Sequence, residues 1–329
     1  MGVLARAADG CRQARVLTGL IVARCLATCR TQPQYCSDES ELEAIIRREI
    51  LPLVRRAVAE RYTVDREIAR GGAARVFLAY DKDGTQVALK VLHPQLAVSV
   101  TADRFLREIT FLSSFDHPNI GRLIDCGESE WLIYYVMKFV DGPNLREHLA
   151  RVRRASVADT VRIAADLLGA LEYAHAKGIV HRDVKPENVV VSGERAVLVD
   201  FGIARAIAQS GTDRLTRSGF AVGTSAYMSP EQIQGMVDID ERTDVYSLGC
   251  VLFECLAGRP PFTAERDDLV LRMHLDHRAP EVRSFREEIP ESLALLIDKS
   301  LKGPREERWQ SATEMRRALE LLVGQSGSA

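Results

Sequence analysis

In HRDVKPENVVVSGERAVLVDFG, residues 181–202, three oxygen-bearing side chains fall on two short loops: Asp183, Asn188 and Asp200. Runs of β-branched and apolar residues separate them, and a hydrophobic core needs none of the three. Asp200, at the end of an apolar strand, can present its carboxylate to a hard divalent cation, with Gly202 letting the chain turn. Asn188 offers a neutral oxygen to a second cation. Asp183 suits the acceptance of a hydrogen bond from a hydroxyl nucleophile, and Lys185, two residues on, can reach a phosphate. Neutralising a polyphosphate, holding metal ions and orienting a hydroxyl in line are the demands of phosphoryl transfer.

Such groups need a scaffold, and the flanking sequence describes one. Residues 62–92 alternate short β-branched runs with turns: YTVDREIA, RVFLAYD, then Asp83-Gly84 as a hairpin signal before TQVALKVL. A helix is predicted near 101–115, with Phe105, Ile109 and Leu112 on one face, and more strand at 121–140. After Gly142 the pattern turns helical: Ser156 and Asp159 open a helix that stops at Gly178. Helices are predicted again at 241–258, 266–277, 291–302 and 311–323. A small β-rich segment before a larger helical one is an α+β, two-lobed layout.

HRDVKPEN, with DFG twelve residues after the Asn of the first motif, resembles the eukaryotic-type protein kinases, most closely the bacterial Ser/Thr kinases. The resemblance implies a small β-rich lobe over 62–137, a hinge at 138–141 and a helical lobe over 142–322. It implies Asp183 and Lys185 as catalytic residues, with Lys90 of VALK on the α/β-phosphates and Glu108 of the following helix paired to Lys90. Asn188 and Asp200 become the metal ligands, and ATP with Mg²⁺ or Mn²⁺ the cofactors. The family's glycine-rich loop aligns with Ala69-Arg70-Gly71-Gly72-Ala73-Ala74-Arg75-Val76, where the outer glycines are Ala69 and Ala74. Alanine reaches positive φ only at a cost, so a stiffer loop, or one further from the phosphates, is expected.

By the same resemblance Val76 and Ala88 line the adenine pocket, Met137 is the gatekeeper, and the backbone of Lys138 and Val140 bonds the adenine edge. Residues 200–231 form an activation segment ending in Ser-Pro-Glu, with Thr212, Thr216, Ser218 and Thr224 as candidate phosphosites. Arg182 is implied as a phosphate partner, Asp244 as the buried holder of the His-Arg-Asp backbone, and Arg308 as the partner of Glu231. Leu112, Leu123, His181 and Phe201 would stack between the lobes. Lys185-Pro186-Glu187 resembles the Ser/Thr rather than the Tyr kinases, so the expected partners are proteins bearing Ser or Thr, with a homodimer as a route to trans-autophosphorylation. A pseudokinase scaffold or nucleotide-sensing module is the alternative, supported only by the alanine-substituted loop. A small-molecule phosphotransferase is disfavoured by the full-length activation segment.

The remainder of the chain constrains this reading without sharpening it. A length of 329 residues, 46% hydrophobic content and a net charge of −2 describe an ordinary globular protein and give no reason to expect nucleic acid. Seven irregularly spaced cysteines argue for a reducing compartment, and no apolar run reaches membrane-spanning length, so a cytoplasmic location is expected. Residues 1–40 are read as a poorly ordered extension; within them only Cys25 and Cys29 have ligand-pair spacing for zinc, and VLTGLIVA at 16–23 weakly suggests a targeting segment. Residues 41–61 carry an apolar stripe including Ile46, Ile50, Val54 and Val58, an amphipathic helix expected to dock on the main domain and to bend or divide at Pro52. Residues 323–329 are a tail.

Overall fold

The β-branched runs of 62–92 form three antiparallel strands in the computed structural model, which describes residues 50–71, 74–92, 109–110, 112–129, 132–201 and 224–326. These strands are β1 (Thr63–Arg70), β2 (Ala74–Tyr80) and β3 (Gln86–Leu92); β4 (Leu123–Ser129) and β5 (Leu132–Lys138) complete a sheet of order β1-β2-β3-β5-β4. The Asp83-Gly84 turn joins β2 to β3: Gly84 has φ +79°, and the Asp81 side chain accepts from the Thr85 N–H at 2.8 Å. Central β5 is buried on both faces through Leu132–Met137, whereas the edge strand β1 is charged and largely exposed, which discourages pairing with another sheet edge.

Side chains alternate across the sheet. One face collects Ala88, Leu92, Leu123, Ile133, Tyr135 and Met137 with Ile109. The other gathers Phe77, Val87, Leu89, Val91, Tyr134 and Val136 under α1 (residues 50–57), which inserts Ile50 and Val54, with Val58 of the following turn beside them. Arg55 fastens α1 to β1 by donating to the Val64 and Asp65 carbonyls at 2.9 and 2.6 Å. Asp125 of β4 receives the Arg61 guanidinium at 2.6 Å and the Tyr62 hydroxyl at 2.7 Å. Helix α1 is continuous through Pro52 over 50–57, and the preceding turn, where the missing N–H would act, lies outside the described residues.

The larger lobe is built around helices. Asn144 caps α2 (Leu145–Val152) in a reciprocal capping box with Glu147, and Ser156 caps α3 (Val157–His175), accepting from the Asp159 N–H at 3.0 Å. The short α4 (Pro230–Ile233) precedes α5 (Arg242–Ala257), in which every residue from Thr243 to Ala257 is buried. Helix α6 (Asp267–Asp276) meets α5 through the Tyr246–His274 bond, α7 (Glu291–Ser300) packs on α5, and α8 (Ala312–Ser326) packs on α3 and α7. Gly249 permits the approach of α7: a Cβ there would stand 2.8 Å from the Ser300 Cβ. A two-stranded ribbon, β6 (Val189–Ser192) with β7 (Arg195–Leu198), lies against α3. It delivers Asn188 and Asp200 to the same open end, where Val189 pairs with Leu198. Gly142, with φ +140°, lets the connection after β5 pass so close to the ribbon that a Cβ would fall 2.1 Å from the Val191 carbonyl oxygen.

Candidate active site

The β6–β7 ribbon ends where its backbone bonds run out, and the next residues carry the chemistry. Asp200 follows with φ +67°, an unusual conformation for a non-glycine residue. Its carboxylate receives the Lys90 ammonium on Oδ2 at 2.6 Å and the Tyr135 hydroxyl on Oδ1 at 3.0 Å. Burial alone would raise the Asp200 carboxyl; the Lys90 charge and the two hydrogen bonds outweigh it and hold the group below the usual carboxylate range. Lys90 and Tyr135 are directly paired across β3 and β5, so the sheet itself sets the spacing of Asp200's partners.

Asp183 sits in a second cluster. The Lys185 ammonium lies 2.8 Å from its Oδ2, and Asn188 Nδ2 donates to Oδ2 at 2.9 Å and to the Asp183 carbonyl at 2.8 Å. With both Nδ2 hydrogens used, Asn188 Oδ1 is the side-chain atom left that could ligate a cation. Asp200 and Asn188 could each offer one oxygen to a cation, a donor set that suits Mg²⁺, since that ion keeps waters and phosphate oxygens in most of its positions. Among the described residues there is no cluster of three or more His, Cys, Asp or Glu able to cage a metal.

The loop bearing Asp183 is held from beneath by one buried carboxylate. Asp244 of α5, 0% exposed, accepts the His181 and Arg182 N–H groups at 2.7 Å each and contacts His175 Nε2 at 2.8 Å. Burial raises its pKa, but the His175 bond and charge and the backbone donors bring it below the ordinary value. Arg182 has φ +67°, and its carbonyl accepts from Gln232 Nε2 at 2.8 Å. The His181 ring bonds the Val199 carbonyl at 2.9 Å and meets the Phe201 ring edge-on at 4.6 Å. Leu112, Leu123 and Phe201 line a common small cavity with Met137 and Asp200, continuous with the face of the sheet that carries Lys90.

Other expected site residues are placed as follows. Ala69 and Arg70 end β1, Ala74 and Val76 begin β2, and Gly71 donates to the Ala74 carbonyl at 2.9 Å; Gly72 and Ala73 lie outside the described residues. Ala69 and Ala74 are both in strands, and the non-glycine residues with positive φ among those described are Arg153, Arg182 and Asp200. Ala88 and Met137 share the buried face beneath Val76. The Lys138 N–H donates to the Arg122 carbonyl at 2.9 Å, so a contact from Lys138 to an adenine edge would use its carbonyl; Val140 is half-buried just beyond. Glu108, Thr212, Thr216 and Ser218 lie outside the described residues, and Thr224 opens a 3₁₀ turn, Thr224–Tyr227.

Glu231 and Arg308 meet as a buried two-pronged pair, at 2.8 and 2.9 Å. Thr243 adds a 2.6 Å bond to Glu231, and Arg308 fills its remaining donors with the carbonyls of Lys302, Gly303 and Arg242. Burial raises the Glu231 carboxyl, but the Arg308 bonds and charge leave it below the ordinary value. Two sets of neighbours were not anticipated from the sequence. Tyr135 is one; the strand alternation that placed Met137 on the site face also places Tyr135 there. The other is Arg146 of α2, which bonds Glu187 beside the catalytic loop at 2.9 Å and also donates to Glu254 and the Tyr227 hydroxyl.

The protein kinase domain family matches residues 62–319. The chain belongs to this family. It is 40% identical over 278 residues to a probable serine/threonine-protein kinase of Streptomyces coelicolor, SCO3848, covering 82% of this chain and 41% of that one. It is likewise 40% identical over 266 residues to the serine/threonine-protein kinase PknB of Mycobacterium tuberculosis, covering 79% and 42% respectively. The chain therefore spans about two-fifths of the length of these relatives. Among solved structures it resembles Rad53 residues 1–466 in complex with AMP-PNP, with TM-score 0.67 and 26% identity over 79% of this chain and 65% of that one. Among the described residues no helix is long and apolar enough to cross a membrane.

Proposed function

We propose that the protein is an ATP-dependent Ser/Thr protein kinase that passes the γ-phosphate to protein hydroxyls and is activated by phosphorylation of its own 200–231 segment. The observation that carries this reading is the pair of clusters, Asp183–Lys185–Asn188 and Lys90–Tyr135–Asp200, joined by one short ribbon. In this reading Asp183 Oδ2 accepts the hydrogen bond of the substrate hydroxyl and orients its oxygen for in-line attack. Lys185, now on Asp183, neutralises charge on the transferring group, and Lys90 exchanges its Asp200 contact for the α/β-phosphates. A divalent cation on Asp200 and Asn188 would neutralise the phosphate oxygens. The adenine lies between Val76, Ala88 and Met137, with the Lys138 carbonyl and Val140 N–H at its edge.

The Ser/Thr preference rests on Lys185-Pro186-Glu187 and on the similarity to the two bacterial serine/threonine-protein kinases. Against the scaffold alternative stand the retained Lys90, Asp183, Asn188 and Asp200, and Ala69 and Ala74 sit in extended backbone that alanine adopts without cost. Protein substrates, activation by Thr212, Thr216, Ser218 or Thr224, and trans-phosphorylation through a homodimer belong to the proposal, as does a domain running over 62–322 with a hinge at 138–141. Mass-spectrometric mapping after incubation with ATP and Mg²⁺ or Mn²⁺ tests the activation step. Phosphate concentrated between 212 and 225 is expected; phosphate scattered over surface residues with none in that segment would reject it.

A further inference from the structure

Arg182, immediately before Asp183, stands at φ +67°, a sparsely populated conformation that persists only where its surroundings impose it. Asp244 holds the N–H groups of His181 and Arg182. The next peptide plane, between Arg182 and Asp183, is gripped at both ends. Its N–H points to His181 Nδ1 at 3.2 Å, and its carbonyl accepts from Gln232 Nε2 at 2.8 Å. That plane ends on the Asp183 Cα, so its tilt sets where the Asp183 carboxylate points. Gln232 lies 50 residues further along the chain, in α4, immediately after the 200–231 segment.

The Gln232 amide is itself fixed. Its Oε1 accepts from the Ser229 N–H at 3.1 Å and lies 3.2 Å from the Ser229 hydroxyl, which leaves Nε2 to face the Arg182 carbonyl. The opposite orientation would set donor against donor at Ser229 and acceptor against acceptor at Arg182. Ser229 is fully buried, with its hydroxyl 3.2 Å from Thr243 Oγ1; Thr243 bonds Glu231, which Arg308 holds. The turn that bears Gln232 is thereby pinned to the large lobe, and its side chain carries that position to the catalytic loop. We propose that Gln232 is a positioning residue for Asp183, aiming its carboxylate from the closing end of the 200–231 segment. The inference deepens the reading of Asp183 as the residue that orients the substrate hydroxyl, and rests on it. Displacing the end of the segment would tilt the Arg182–Asp183 plane through this bond, while Asp200 keeps its own partners, Lys90 and Tyr135. The effect therefore falls on turnover rather than on nucleotide binding.

Gln232→Glu is the most selective variant, since it keeps an oxygen for Ser229 and exchanges the donor facing Arg182 for an acceptor. Transfer of γ-phosphate from ATP to a generic acceptor protein is compared in the wild-type full chain, Gln232→Glu, Asp183→Asn and the double variant. Gln232→Glu should lower kcat at least about ten-fold with the KM for ATP unchanged, because small misplacements of a reacting group are costly in rate. In the Asp183→Asn background the same change should cost less than about two-fold, since residues acting through one path are not additive. Equal kcat in Gln232→Glu and wild type, or the same loss in both backgrounds, would overturn the proposal and leave Gln232 a structural cap. Should Gln232→Glu melt below the assay temperature, Gln232→Met, which removes the donor without adding charge, is held to the same two criteria. The Asp183 amide resonance, followed by NMR without ATP, should move in the variant; an unmoved resonance would also overturn the proposal. A wild-type chain that binds ATP and transfers nothing would remove the reading of Asp183 and this inference together, whereas equal transfer by wild type and variant removes this inference alone.

Discussion

Asp200 receives its two partners from adjacent strands, and each helps to keep it ionised. Tyr135→Phe removes one hydrogen bond without removing the ring. The carboxyl should then move up towards its ordinary range, and the acid limb of kcat/KM against pH should shift upward with it; an unmoved limb would mean that Lys90 alone sets the charge. The Glu231–Arg308 pair lies deeper, and its value depends on completeness. Arg308→Ala leaves a buried carboxylate unpaired and should cost about 3–5 kcal/mol in urea denaturation, with a large part recovered in Arg308→Met combined with Glu231→Gln. A loss within about 0.5 kcal/mol, the range of surface substitutions, would contradict its structural role.

How much of the site the sequence reveals follows from how far apart the contacts lie along the chain. Asp183, Lys185 and Asn188 interact within five residues, so their spacing alone displays them. Tyr135 lies 65 residues from Asp200, and Arg146 lies 108 from Glu254, so nothing local marks either pairing. The alanines of the phosphate loop are a different case. A glycine pattern records what a family uses, whereas strain depends on φ, and here the backbone is extended.

Among the elements, α1 is the one whose place the family match leaves open, since that match begins at residue 62 and α1 precedes it. The amphipathic stripe of 41–61 was legible, and its docking face is now explicit: Ile50, Val54 and Val58 close the sheet face opposite Lys90. Fully burying such a side chain contributes about 1.5–3 kcal/mol. A chain beginning at residue 62 should therefore unfold at lower urea and self-associate through the uncovered face, detectable by light scattering. Full stability and a monomeric state in the truncated chain would make α1 dispensable. Helices α3 and α5 to α8 end within a few residues of the predicted bounds, at α3 because the Ser156 cap and the apolar periodicity coincide, whereas the short α4 was not predicted.

At the scale of the whole molecule, stability should depend on pH through groups buried in the large lobe. Burial pushes His274 down to about 4, only partly offset by a backbone bond to Ala226. In the unfolded chain an imidazole takes up its proton near 6.5, so between about 6.5 and 4 the unfolded state binds more protons and stability falls as pH falls. The depressed carboxyls of Asp200, Glu231 and Asp244 extend the same trend: their contribution is complete above the ordinary carboxylate range and is lost as acid protonates them in the fold. Urea midpoints between pH 7.5 and 4 should decline, more gently in His274→Gln; identical slopes would rule out His274 as a source.

The central claim is that Asp183 orients a hydroxyl for attack on a nucleotide phosphate in this cleft. The most direct measurement is transfer of labelled γ-phosphate from ATP to a generic Ser/Thr acceptor protein by the wild-type chain and by Asp183→Asn, with nucleotide binding measured in both. Transfer by the wild type that falls by at least about 10² in the variant, while nucleotide binding persists, is the predicted result. Equal transfer by both chains, or nucleotide binding with no transfer by the phosphorylated wild type, would contradict the account.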